Sequence, residues 1–220
     1  IIMLNYTYGT NGLKVDIPRI INYIDKEIMK GDIAEAKLFN PDFIIANMHW
    51  GLEYERIPSR EQRELADWLL RQGVDLVIGS HPHVVQPMEL RRGKEGVTDR
   101  LVVYSLGNFI SNMSREHTDG GVMVKVVLGR KGLRRYIVSA QYSLIYSSRY
   151  KNEQGKEDIR VVPAASWLGK NQNSSFSVDS ALIKYVNNTR LFLKSNNKEV
   201  EEYIFMKKIG IRRKEKQSST

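Results

Sequence analysis

The sequence predicts an α/β fold in which βαβ units are followed by antiparallel strands. In its first half, short apolar runs alternate with stretches of helical spacing, and the connections between them are short. This alternation is typical of right-handed crossovers that build a largely parallel sheet. From residue 101 onward strand-like runs dominate, and a glycine-flanked turn signal joins two of them, which indicates an antiparallel part.

The first predicted elements are strands and one helix. Residues 1–6 are strand-like, residues 20–24 are expected to form a short apolar strand, and residues 25–39 carry apolar side chains at helical spacing. Pro41 ends this helix because proline disfavours helical geometry in the residue before it. The apolar run at residues 43–48 is typical of a buried parallel strand.

The second helix is predicted to begin at Ser59. Ser59 and Gln62 have the spacing of a capping box, and Gly73 stands where a helix usually ends. An apolar stripe between them is formed by Leu65, Ala66, Leu69 and Leu70. Residues 75–78 follow as the next strand.

The second half of the chain is predicted to be antiparallel. The strand-like runs are residues 101–106, 122–128 and 133–146, and residues 129–132 between the last two are a four-residue hairpin signal. We place a domain boundary at residue 150.

Residues 151–220 are expected to be a helical extension with a basic tail. Residues 151–156 are predicted to be a polar loop, residues 178–194 an amphipathic helix and residues 207–220 the tail. Such a tail is more often a solvated end than a binding site.

Composition excludes several classes of protein. Of the 220 residues, 41% are hydrophobic and 27% charged, which argues against collagen-like, coiled-coil and disordered chains. The absence of cysteine excludes disulfides, thiolate zinc sites and cysteine nucleophiles. The net charge of +9 favours anionic partners, but no nucleic-acid recognition motif accompanies it. No apolar run reaches the roughly 20 residues of a membrane span.

Three of the four histidines follow predicted parallel strands. His49 comes directly after residues 43–48, and His81 and His83 come after residues 75–78. Because ligands bind at the carboxyl ends of such strands, we expect the three imidazoles to converge. Pro82 favours an extended conformation at His81, which would turn the rings of His81 and His83 to one side.

Histidine is a common metal ligand, so these residues predict a metal site. The alternatives are a polar loop pair for His81 and His83, and a capped core histidine for His49. The fourth histidine, His117, lies in a polar stretch and is interpreted as solvated.

Two further pairs of residues are candidates for the site. Glu53 could add a ligand or act as a general base, or be a surface glutamate. Asn108 could ligate a metal or hold a phosphate oxygen, although Gly-Asn is also a common turn pair. Tyr8 and Asn11, in the stretch after the first strand, could bind an anion of the substrate, or belong to a strand-exit turn.

Four motifs resemble the bacterial capsule-synthesis CapA family, which is linked to poly-γ-glutamate synthesis. The motifs are residues 6–12, 47–54, 79–87 and 104–109. The resemblance covers about residues 1–128 and implies the C-terminal half of a calcineurin-like metallophosphoesterase domain, a β-sandwich flanked by helices with a di-metal centre at strand ends. In this family His49 matches the isolated histidine ligand, and His81 and His83 match a histidine pair.

The resemblance implies a function as well as a fold. We expect a protein of capsule or poly-γ-glutamate biosynthesis with a metal-dependent hydrolase-like site that uses divalent ions such as Mn, Zn or Fe. The alternative is a non-catalytic protein that binds an anionic cell-surface polymer. The resemblance also implies an anionic polymer or phosphoester as substrate and other capsule-synthesis proteins as partners. It further implies an extracytoplasmic or cell-surface location. Earlier ligands of the wider fold have no match here, so we expect further chain upstream.

Overall fold

A five-stranded sheet carries the first half of the chain in the computed structural model, which describes residues 1–94, 98–165 and 180–204. Its strands are β1 (Ile2–Thr7), β2 (Ile44–His49), β3 (Leu76–Ser80), β4 (Met88–Arg91) and β5 (Arg100–Val103). They lie in the order β1-β2-β3-β5-β4. The pairs β1–β2, β2–β3 and β3–β5 are parallel, whereas β4 is antiparallel to β5.

Two helices cover one face of this sheet. They are α1 (Lys26–Leu38) and α2 (Arg60–Gln72). The side chain of Asp25 caps α1, and Ser59 with Gln62 forms the predicted capping box of α2. Gly73 ends α2 with a left-handed φ of 100°, a conformation that glycine adopts without a steric penalty. The buried side chains between helices and sheet include Met29, Ile33, Ala66 and Leu69 from the helices and Ala46 and Val77 from the strands.

A buried carboxylate ties three strand regions together. Asp75 accepts a hydrogen bond of 2.8 Å from the backbone N–H of Ile44 and pairs with Arg100. Burial raises the pKa of Asp75, although that hydrogen bond and the charge of Arg100 oppose the rise. Because a buried charge must be paired, this contact favours the observed alignment of β2, β3 and β5.

The second sheet is built around one long strand. Its members are β6 (Gly120–Lys131), β7 (Arg134–Lys151), β8 (Glu157–Pro163) and the short β9 (Glu201–Glu202). β7 pairs with β6 and β8 in antiparallel fashion and with β9 in parallel. The predicted hairpin forms with a tighter loop than expected, because Lys131 already pairs with Arg134 and only Gly132 and Leu133 make the turn.

The two sheets enclose a shared core. Apolar side chains from both sheets and from α3 (Ser180–Asn196) belong to one buried cluster. Its members include Leu76, Met88, Leu101, Val103, Ile137, Leu144, Leu182 and Leu193. The segment after α3 also bridges the layers, since Lys198 bonds to the backbone of Met88 and Leu90 while β9 pairs with β7. Helices on one face and a second sheet on the other agree with a partial metallophosphoesterase-like fold.

The predicted α/β class and the order of the predicted elements are confirmed, with four differences. The first is that residues 157–163 and 201–202 form the strands β8 and β9, where a helical extension is expected from the sequence. Residues 20–24 form no strand: Tyr23 makes one isolated bridge to Thr7, and Ile20 is 86% exposed, so the run lacks the sheet neighbours that a strand needs. β4 was not predicted because its four residues are too few for a clear periodic pattern. The strand predicted at residues 101–106 is shorter in the structure, because β5 ends at Val103.

The C-terminal region combines a helix with strands. The predicted helix is present from residue 180, while residues 178–179 and the tail at 207–220 lie outside the described residues. Residues on both sides of the predicted boundary at residue 150 belong to one sheet, because β7 continues to Lys151 and pairs there with β8. The domain boundary itself stays a prediction. Across the described ranges, no helix combines the length and apolarity needed to span a membrane.

Candidate metal and substrate site

The candidate residues lie at the carboxyl ends of the parallel strands. His49 is the last residue of β2, His81 follows β3 directly, and Tyr8 follows β1. Parallel pairing in register, with Thr7 beside His49 and His49 beside Ser80, brings these ends to one edge of the sheet. The site is therefore a consequence of the sheet's topology.

Three side chains form a group suited to a metal ion. One ligand atom from each of Glu53, His81 and His83 lies within 4.8 Å of the other two. Two imidazoles and a carboxylate are a donor set that divalent transition metals accept. The residues present therefore fit a divalent cation by their chemistry and their proximity.

The histidine pair reaches this position through an unusual backbone. His81 has φ of 100° and His83 has φ of 61°, so the extended conformation expected from Pro82 is wrong. The turn is held by backbone hydrogen bonds, since the N–H of Tyr54 donates to Pro82 O at 2.7 Å and the N–H of Trp50 donates to Ser80 O at 3.1 Å. Sparsely populated conformations of this kind cost about 1–3 kcal/mol each and cluster at functional sites.

His49 lies beside the three-residue group. Its ring centroid is 4.7 Å from that of His81, yet it does not belong to the group of convergent ligand atoms found among the described residues. The ring of Tyr8 contacts both histidines, at 5.7 Å from His49 and 4.4 Å from His81. The structure thus brings all three predicted histidines together, and two of them, His81 and His83, converge with Glu53.

The surroundings favour the neutral form of two histidines. Burial, with a smaller contribution from His83, lowers the pKa of His49. Burial and the neighbouring His49 lower the pKa of His81, against an opposing effect of Glu53. A neutral imidazole is the form that binds a metal, so the electrostatics suit ligation at neutral pH.

Asn108 orients His83. Its Nδ2 donates to Thr118 O at 3.0 Å, which leaves Oδ1 to face His83 Nδ1 at 2.9 Å. Because the amide oxygen accepts, His83 carries its proton on Nδ1 and keeps Nε2 free as an acceptor. A partner on the second ring nitrogen is the usual arrangement for a ligating histidine.

The predicted anion-binding pair is held together at the rim. The hydroxyl of Tyr8 donates to Asn11 Oδ1 at 2.8 Å. Tyr8 is about half exposed, and Asn11 is exposed with φ of 53°. Both side chains are therefore accessible beside the histidines.

Two site neighbours were missed by the sequence analysis. The ring of Tyr54 stacks with that of His83 at 6.1 Å, and Cζ of Arg115 lies 4.0 Å from the centroid of Tyr54. Tyr54 stands beside Glu53 in one of the motifs, which is a usable signal, whereas Arg115 lies in the stretch interpreted as solvated.

His117 is partly buried in a separate cavity that Lys184 and Tyr185 also line.

Comparisons with known proteins agree with the site's motifs. The family described as "Bacterial capsule synthesis protein PGA_cap" matches residues 1–113. The chain is 35% identical over 115 residues to the PGA biosynthesis protein CapA of Bacillus subtilis (strain 168), a match that covers 52% of this chain and 28% of that protein. It is 35% identical over 107 residues to the capsule biosynthesis protein CapA of Bacillus anthracis, covering 49% and 24% respectively. The match spans about a quarter of each relative, and the chain belongs to the bacterial capsule synthesis family.

Proposed function

We propose that this member of the bacterial capsule synthesis family acts in capsule or poly-γ-glutamate biosynthesis through a metal-dependent, hydrolase-like site. The observation that carries the proposal is the convergence of Glu53, His81 and His83 at the strand ends. Family membership supports the biological role, and the donor set supports the chemistry.

In this proposal Glu53, His81 and His83 hold a divalent ion, with Mn, Zn and Fe all suited to the donors. The chemistry that such an ion supplies is Lewis acidity toward a phosphoryl or carbonyl oxygen. His49, next to His81, is available as a further ligand. We propose, by analogy with the family, that the location is extracytoplasmic or at the cell surface.

The other candidate residues have distinct roles around the ion. Glu53 is exposed and is suited to take a proton from an attacking water if it does not ligate. Asn108 acts through His83 by fixing its tautomer. Tyr8 and Asn11 form the substrate-facing rim, where an anionic polymer or phosphoester would bind, with other capsule-synthesis proteins as partners.

Elemental analysis of the purified chain tests the proposal. We expect about one divalent ion per chain in the wild type, removable by chelation, and none in His81→Ala, which deletes a buried ligand. His117→Ala is the matched control, because His117 lies outside the group, and it should keep its ion. Metal content that survives His81→Ala would contradict the assignment.

A second candidate function is binding of an anionic polymer without turnover. The net charge of +9 favours it, because such a charge attracts polyanions regardless of chemistry at the histidines. Hydrolysis of a simple phosphodiester by the metal-loaded wild type, lost in His81→Ala, would favour the first function. Polymer binding that is equal in both proteins, without hydrolysis, would favour the second.

A further inference from the structure

We propose that Arg115 binds an oxyanion group of the ligand, a carboxylate or a phosphate, beside the histidine cluster. The inference rests on the proposed function, because it supplies the charge-recognition element of that same site. A guanidinium meets either oxyanion with two parallel hydrogen bonds, which a lysine cannot reproduce.

The position of Arg115 is defined by an aromatic bridge. Its Cζ lies 4.0 Å from the ring centroid of Tyr54, and that ring stacks on His83 at 6.1 Å and 26°. A cation over a ring face is attracted by the ring's quadrupole, so the guanidinium is held in place before any ligand arrives. Only one side chain therefore separates the cation from a proposed metal ligand.

The backbone of Arg115 is tied to the same asparagine that orients His83. Thr118, which is fully buried, donates to Arg115 O from its hydroxyl at 2.6 Å and from its N–H at 3.1 Å. Thr118 O in turn accepts from Asn108 Nδ2 at 3.0 Å. Asn108 is therefore hydrogen-bonded both to the ring of His83 and, through Thr118, to the loop that carries Arg115.

The charge of Arg115 is available to a ligand. Within the ranges 1–94, 98–165 and 180–204 it makes no ion pair with a carboxylate, and its side chain is exposed. The adjacent carboxylate of Glu116 instead pairs with Lys184 at 3.3 Å. By contrast, the guanidinium groups of Arg91 and Arg190 are paired with acidic side chains.

A cation on a surface tyrosine also occurs away from the cluster, which provides a matched control. Arg160 lies 5.0 Å from the ring of Tyr150 on the β7–β8 hairpin and is also exposed. Neither residue belongs to the group of convergent ligand atoms. Arg160→Gln therefore removes the same charge and the same type of ring contact as Arg115→Gln.

Calorimetric titration of the full chain, metal-free and Mn²⁺-loaded, tests the proposal with two probes, inorganic phosphate and a γ-linked glutamate oligomer. We expect Arg115→Gln to weaken binding of at least one probe about tenfold or more. Arg115→Lys should recover part of the loss, because it keeps the charge without the planar fork. Arg160→Gln should bind as the wild type does. The probe that responds identifies phosphate or carboxylate as the preferred group.

Metal content and thermal unfolding of each variant separate this inference from the proposed function. Arg115→Gln is expected to keep the wild-type metal content and melting temperature. Equal anion affinity in wild type and Arg115→Gln, an equal loss in Arg160→Gln, or a wild type that binds neither probe would overturn the role of Arg115. A wild type without metal that still shows Arg115-dependent anion binding would overturn the metal site alone.

Discussion

Asn108 is the residue on which the geometry of the candidate site most directly depends. Its amide faces His83 with the oxygen and the loop carbonyl of Thr118 with the nitrogen. A Gly-Asn pair in a sequence more often indicates a turn than a ligand. Only the folded chain shows that the side chain of this asparagine contacts both His83 and the backbone of Thr118.

Asn108→Ala should lower metal affinity by about 10–100-fold, because His83 would lose the partner that fixes its ring and tautomer. Competition with a chromophoric chelator measures the change. Asn152→Ala is the control, since Asn152 accepts hydrogen bonds only within a turn of the second sheet. Metal affinity that is unchanged in Asn108→Ala would contradict the positioning role.

Asp99 couples pH to stability away from the site. Its carboxylate accepts from the N–H groups of Gly93 at 2.9 Å and Ile137 at 3.0 Å and from Arg92 at 3.1 Å. Burial acts to raise the pKa of Asp99, but these hydrogen bonds and the Arg92 charge outweigh it and lower the pKa below 3.8. The ionised form is therefore the one that the folded state prefers.

Asp99→Asn should destabilise the fold by about 1–3 kcal/mol at neutral pH, because an amide nitrogen cannot accept from the same donors. The folded pKa lies below the unfolded value, so the carboxylate stabilises the protein above pH 3.8. This contribution disappears as the pH falls through the folded pKa. Urea unfolding of both proteins at pH 7 and well below pH 3.8, where the folded-state carboxyl also takes up a proton, measures it. A difference in free energy that does not shrink in acid would contradict this account.

At the scale of elements, the position of the candidate site depends on how closely β3 approaches its neighbouring segments. A Cβ on Gly79 would lie 1.9 Å from Tyr104 O and 2.5 Å from Trp50 Nε1, which itself donates to Tyr104 O at 2.9 Å. Glycine is needed here because the backbone of one segment and the indole of another meet at that position. His81 follows two residues later, so the same contact positions a proposed ligand.

Gly79→Ala should cost about 1–3 kcal/mol of stability, because the overlap forces the neighbouring segments apart, and it should weaken metal binding as well. Gly31→Ala is the matched control: an added Cβ meets nothing within 4 Å in α1, and alanine is the better helix former. Chemical unfolding and metal titration report the two effects. Wild-type behaviour of Gly79→Ala in both would show that the segments can move apart freely.

The helices show when element-scale prediction succeeds. The capping box of α2 and its glycine stop are local patterns, and both are present. The apolar run at 20–24 has local strand character but no continuous partner, since only Tyr23 bridges to Thr7. Strands depend on pairing with distant residues, so local pattern is a weaker guide for them.

At the scale of the whole molecule, charge is the property most relevant to partners. The chain has 34 basic and 25 acidic residues, and several of the described carboxylates are already paired with arginine. A net positive chain attracts polyanions over a range set by the ionic strength. This attraction applies to a catalytic and to a purely binding function alike.

Binding of poly-γ-glutamate should weaken as NaCl rises from about 50 mM to about 500 mM, because screening shortens the Debye length. Light scattering or calorimetry measures the affinity, and poly-lysine is the control polymer, which should not bind. Binding that is insensitive to salt would mean that contacts other than charge dominate the interaction.

The sequence by itself determined the α/β class, the capping box and glycine stop of α2, the placement of three histidines after parallel strands and the family. Those features depend on periodicity, local turn chemistry and motif order, which are written along the chain. The tertiary structure alone decided that Glu53 joins His81 and His83, that Asn108 orients His83, and that Arg115 reaches the cluster through Tyr54. These contacts join residues from separate loops whose mutual positions are set by sheet register and by the left-handed turn at the histidines.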